Sequence, residues 1–139
     1  MHRQCYERVD ELLTQGYQFW NEFGLEPLSE EDKHFTIDAI LPYYSGEHAI
    51  NFACACQCFY LFRRLHNEIE GNEETATLLG DYFFSQFAQF VIPIDRTELI
   101  NQFSEFLSGD AQEGANGNKI FNKEKFKTFI TSISVEIIQ

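Results

Sequence analysis

Residues 47–69, EHAINFACACQCFYLFRRLHNEI, decide the fold. From His48 to Phe62 the run carries no formal charge. Wound at 3.6 residues per turn, its first half is apolar on nearly every side. A helix of that kind needs other elements all around it, so it is expected at the centre of the molecule. Tyr43-Tyr44-Ser45-Gly46 form a turn before it, with Ser45 as the expected N-cap, and Gly71-Asn72 break it. The run contains Asn51 and Gln57 and falls short of the ~20 apolar residues of a membrane span.

The flanking segments supply its surroundings. Over residues 2–23 the positions Cys5, Val9, Leu12, Leu13, Gly16, Trp20 and Phe23 recur at three- and four-residue steps, with Glu7, Asp10 and Glu11 on the wet side. Gly24 is placed for a left-handed cap, and Pro27 forbids continuation. Ser29 before Glu30, Glu31 and Asp32 reads as an N-cap with acids in the first turn, opening a helix from Glu30 to Leu41 that Pro42 stops. Downstream, a helix from Glu73 to Ile92 ends at Pro93. A fifth, capped by Asp95 or Thr97, reaches Leu107 before Gly109. Residues 109–117, GDAQEGANG, read as a loop, and a last helix runs from Asn122 to Ile137. Six helices without alternating strands predict a single all-α domain over residues 1–139, a bundle with short antiparallel connections.

Composition narrows the class. At 139 residues and 44% hydrophobic the chain has enough apolar material for one core, which excludes a disordered tail, a collagen-like repeat and a disulfide miniprotein. Ten Lys and Arg against 22 Asp and Glu leave a net charge of −12, which repels phosphate backbones and argues against nucleic-acid binding. Residues 1–12, MHRQCYERVDEL, lack the apolar core of an export signal. Three of the four Cys crowd into five residues, Cys54, Cys56 and Cys58, too close to bridge each other readily. Together these predict a cytoplasmic protein with reduced thiols and no transmembrane segment.

Metal and nucleophile chemistry find little footing. Helical positions two apart lie about 200° apart in azimuth, so Cys56 faces away from Cys54 and Cys58, leaving zinc short of ligands. Small thiols packed in a central helix are the simpler account. Glu31 and His34 make one Glu-x-x-His step, where a di-iron bundle needs two plus further inward Glu. The other histidines, His2, His48 and His66, have no Glu three residues before them. There is no Gly-x-Ser-x-Gly elbow and no Walker loop.

Two segments together resemble the trans-isoprenyl diphosphate synthase superfamily. Thr77-Leu78-Leu79-Gly80-Asp81-Tyr82-Phe83-Phe84-Ser85 is similar to that family's "LAGDYLLS" helix. Leu65-His66-Asn67-Glu68-Ile69, one short loop upstream, falls where active members carry "hDDxxD". The likeness is to the small subunit, component I, of heterodimeric hexaprenyl and heptaprenyl diphosphate synthases, which are short and carry a degenerate "HDEV"-like sequence there. It covers about residues 45–138, including the helices of Leu99 to Gly109 and Asn122 to Ile137.

The resemblance implies a truncated isoprenoid-synthase-type bundle without a catalytic set of its own. Active members hold three Mg²⁺ on two Asp-rich motifs, because Mg²⁺ takes hard oxygen ligands. At the first motif this chain offers only Asn67 and Glu68, with no paired Arg in the short loop to Glu73, and it ends before the position of the second. The implied role is a non-catalytic small subunit, with Mg²⁺ on the catalytic large subunit and none bound by this chain alone. The implied reaction adds isopentenyl diphosphate to an allylic diphosphate, for a quinone side chain; in isolation the chain could pair with itself. Phe52, Phe59 and Phe62 on one helix, and Phe83, Phe84, Phe87 and Phe90 on the next, could wall a prenyl tunnel or form a partner face. For each, plain core packing is the competing account. The alternative function is a stand-alone helical interaction or regulatory protein that has left prenyl chemistry.

Overall fold

The computed structural model describes residues 2–67, 72–115 and 121–137, and those residues form helices and turns without a strand. Seven helices follow in order: α1 (His2–Glu22), α2 (Glu30–Lys33), α3 (Phe35–Ile40), α4 (Glu47–Asn67), α5 (Glu73–Val91), α6 (Thr97–Ala115) and α7 (Lys123–Ile137). A single 3₁₀ turn, Ile92–Ile94, follows α5. No helix of the described residues is long and apolar enough to cross a membrane.

The bundle is built around α4, as its charge-free run predicts. Phe52, Ala53, Cys54, Ala55, Cys56, Cys58, Tyr60 and Leu61 have no exposed surface, so this helix is covered on every side. Phe59 is the hub of an aromatic pile that joins it to three other helices. Its ring centroid lies 5.6 Å from Phe87 of α5, 5.0 Å from Phe103 of α6 and 5.6 Å from Phe126 of α7. Such pairs add about 0.5–1.5 kcal/mol each beyond simple burial. From α1, Val9, Leu13 and Trp20 are buried in the same core. Gly16 lets α1 approach α5, since a Cβ there would meet the Phe83 ring at 2.6 Å.

Several helix ends follow the sequence closely. Gly24 has φ +72 just past α1, in the left-handed conformation expected of it. The Ser29 hydroxyl accepts from the Asp32 N–H at 3.1 Å, and Asn122 Oδ1 accepts from the Lys125 N–H at 3.0 Å. Before α4 the cap is Gly46 rather than Ser45. Gly46 has φ +101, and its carbonyl accepts the first intrahelical bond, from Ile50 N–H at 3.1 Å.

Two elements depart from the sequence reading. The helix expected over Glu30 to Leu41 is broken at His34, with φ −113 and ψ 13, into α2 and α3. Gln57 of α4 explains the break. Its Nε2 donates to the Asp32 carbonyl at 2.6 Å, and its Oε1 accepts from the Thr36 N–H at 3.4 Å. Those two backbone groups would otherwise bond to each other in a continuous helix. The other departure is α6, which passes through Gly109 to Ala115, where the sequence reading ends the helix at Leu107 and opens a loop. Gly109 has nothing within 4 Å of a built Cβ, so glycine there costs only helix propensity, about 1 kcal/mol against Ala.

Candidate functional site

The two segments behind the family resemblance meet where α4 and α5 pack together. His66, in the last turn of α4, lies against Gly80 of α5. A Cβ at Gly80 would stand 2.4 Å from His66 Cδ2, so glycine is what admits the imidazole between the helices. Nε2 of His66 is 3.4 Å from Asp81 Oδ1, an ion pair when the ring is protonated. The ring also stands edge-on to Phe62, with centroids 4.6 Å apart. Asn67 closes α4; its side chain and all of Glu68 lie outside the described residues.

The residues after Gly80 point three ways. Asp81 is exposed and turned to solvent beside His66. Tyr82 is half-buried, edge-on to Phe19 of α1 at 5.2 Å, and burial pushes its hydroxyl pKa up. Phe83 is buried under Gly16.

The candidate tunnel or partner residues also divide. Phe52, Phe59, Phe62 and Phe87 are buried in the core, and Phe90 is half-buried against it. Phe84 is 40% exposed, its ring 4.8 Å from Phe62. The space lined by Phe59, Phe84, Phe87, Ile100, Phe103 and Leu107 amounts to about 40 Å³. That is room for about one or two waters, far less than a prenyl chain. Within this chain, then, the inner rings serve as packing, and Phe84 belongs to an outward face between α5 and α6. Ile100 and Ile92 continue that face, 53% and 71% exposed.

Sequence reading missed the best-built polar cluster. Asp32, at the broken turn between α2 and α3, has a side chain only 14% exposed. Its Oδ1 accepts from Tyr60 Oη at 2.7 Å and from Lys123 Nζ at 2.9 Å, while Arg64 reaches Oδ2 at 2.9 Å. Burial pushes this carboxyl up. The hydrogen bonds of Lys123 and Tyr60 and the charges of Arg64 and Lys123 outweigh it, leaving a pKa of about 2. The cluster thus pins the α2–α3 break to α4 and α7 with a permanent negative charge between two cations. Its only visible signal in the sequence is Asp32 in an acidic first turn.

The other candidates are placed apart from this. Glu31 is exposed, whereas His34 turns to Asp10 at 3.3 Å and Glu30 at 3.7 Å, its ring beside Tyr6. Among the described residues no three His, Cys, Asp or Glu side chains converge to hold a metal ion. Cys54, Cys56 and Cys58 are free thiols without exposed surface. Burial pushes Cys54 up to about 12 and the other two well above their ordinary value, so all three stay protonated and inert. Tyr17 is raised too, by burial first and by nearby Cys58 and Asp10; its hydroxyl donates to the Lys33 carbonyl at 3.2 Å. Comparison with protein-family models, with curated proteins and with solved structures finds no match for this chain.

Proposed function

We propose that this chain is a non-catalytic helical subunit that supports the large subunit of a trans-polyprenyl diphosphate synthase. The observation that carries the reading is the adjacency of its two family-like segments, with His66 seated over Gly80 and reaching Asp81. The two segments lie eight residues apart in sequence, and the packing of the consecutive helices α4 and α5 brings them together at His66 and Gly80. The seam has lost its chemistry. Where the resemblance calls for paired carboxylates, Asn67 supplies an amide, and Asp81 faces an imidazole.

The filled core supports the same role. Among the described residues, the chain packs Phe59 against Phe87, Phe103 and Phe126, and the space of about 40 Å³ beside these rings is too small for a growing prenyl tail. Its contribution to a tunnel or to product length is therefore made from the outside, by packing against the subunit that holds both diphosphates and Mg²⁺. The elongated product would serve as a quinone side chain. A stand-alone helical interaction protein would use the same exposed face, and the identity of the bound partner separates the two.

The test is prenyl transfer by the purified chain with Mg²⁺, an allylic diphosphate and labelled isopentenyl diphosphate. No product is expected from the chain alone, and product is expected once a large subunit with two Asp-rich motifs is added. A catalytic subunit equally active with and without this chain would overturn the proposal.

A further inference from the structure

We infer that the cleft between α1 and α2 binds a small zwitterion, an α-amino acid with a polar side chain. The cleft has a volume of about 280 Å³, and every residue lining it carries a polar group. Asp10, Tyr17, Gln18 and Asn21 contribute from one stripe of α1, and Glu30 and Lys33 face them from α2. The α2 wall is fixed from behind. Tyr17 Oη donates to the Lys33 carbonyl at 3.2 Å, Gln57 Nε2 donates to the Asp32 carbonyl at 2.6 Å, and Tyr60 and Lys123 hold the Asp32 carboxylate. The backbone that carries Glu30 and Lys33 is therefore in place before any ligand arrives, which lowers the ordering cost of binding.

Opposite charges face this cleft without meeting. Asp10 Oδ1 is buried against His34 Nε2 at 3.3 Å, while the side chain as a whole is 46% exposed, so its Oδ2 edge is the open one. Lys33 Nζ lies 5.8 Å from the centre of the Tyr17 ring and reaches Glu30 Oε1 only at 3.9 Å. Among the described residues it forms no ion pair with Asp10. A ligand with a single charge is attracted by one of these groups and repelled by the other. A zwitterion sets its ammonium beside Asp10 and Glu30 and its carboxylate beside Lys33, with a charge-assisted hydrogen bond at each end. The exposed amides of Gln18 and Asn21 offer donors and acceptors to a polar side chain. Drug-sized ligands take sites of about 300 Å³ upward; the smaller cleft here suits a molecule of amino-acid size. None of these residues belongs to the α4–α5 seam, so the inference goes beyond the subunit reading and does not rest on it.

The test is titration of the nitrogen-15-labelled full chain with L-glutamine and with each of the other common amino acids, followed by two-dimensional amide NMR. At least one amino acid with a polar side chain is expected to bind saturably, with shifts concentrated in residues 10–21 and 30–33. Its N-acetyl form, which lacks the ammonium, and its amide, which lacks the carboxylate, are each expected to bind at least tenfold more weakly. Asp10→Asn should erase the preference over the N-acetyl form, and Lys33→Gln the preference over the amide, with folding checked by circular dichroism. Saturable binding by none of the amino acids, equal binding of the zwitterion and its singly charged analogues, or shifts centred elsewhere overturns the inference. So does tighter binding of the diamine putrescine, which would give the cleft to a cation.

Discussion

Replacing Asp32 with Asn removes the negative charge that two cations share, with little change of shape. In the native protein Arg64, Lys123 and Tyr60 hold this carboxyl at a pKa of about 2, against the usual 3.8. A folded-state pKa lowered in this way stabilises the protein fully above pH 3.8, and the stabilisation is lost as pH falls through 2. The shift corresponds to about 2 kcal/mol at neutral pH, about half of that at pH 3 and little at pH 2. For a chain of this size 2 kcal/mol moves the melting temperature by roughly 6–8 °C. Trp20 is 2% exposed and its Nε1 donates to the Glu26 carbonyl, so its fluorescence reports unfolding. Urea titrations of both proteins at pH 7, 5 and 3 are expected to show Asp32→Asn destabilised at pH 7 and 5, with a narrower gap at pH 3. A gap below 0.5 kcal/mol at pH 7, or one that does not narrow at pH 3, would refute the electrostatic account of the cluster.

The remaining expectations concern the seam, the thiols and the degenerate motif. Gly80→Ala places a Cβ 2.4 Å from the His66 ring and should cost about 1–3 kcal/mol by urea denaturation, with much of it recovered in the double variant with His66→Ala. Cys54, Cys56 and Cys58 should stay unreactive toward a chromogenic disulfide in the native protein and titrate only in denaturant, at neutral pH. Glu68→Gln should leave the activity of the assembled synthase unchanged; a clear loss would mean that the degenerate motif still touches a metal.

The parts of the fold legible in the sequence are those set by neighbours along the chain. The charge-free run of α4, the left-handed Gly24, the cap at Ser29 and the helix start at Asn122 each depend on residues within four positions, and the structure bears them out. The break at His34 depends on Gln57, more than twenty residues away, which takes the two backbone groups a continuous helix would pair. Asp32 is illegible for the same reason, since Tyr60, Arg64 and Lys123 lie 28 to 91 residues further on. Along α5, periodicity marks the Phe positions as apolar without saying which face outward. Neighbouring Phe83 and Phe84 end in different surroundings, one buried beneath Gly16 and one 40% exposed beside Phe62. Gly80 reads as part of a family-like motif, and the space it leaves for His66 emerges only once α4 and α5 are side by side.

The most direct measurement on the central claim is recovery of the tagged chain from its native lysate, with bound proteins identified by mass spectrometry and the eluate assayed for prenyl transfer. The account expects a stoichiometric partner with two intact Asp-rich motifs, and an eluate that elongates an allylic diphosphate in the presence of Mg²⁺. Recovery of the chain by itself, or with proteins unrelated to prenyl synthases, would contradict it.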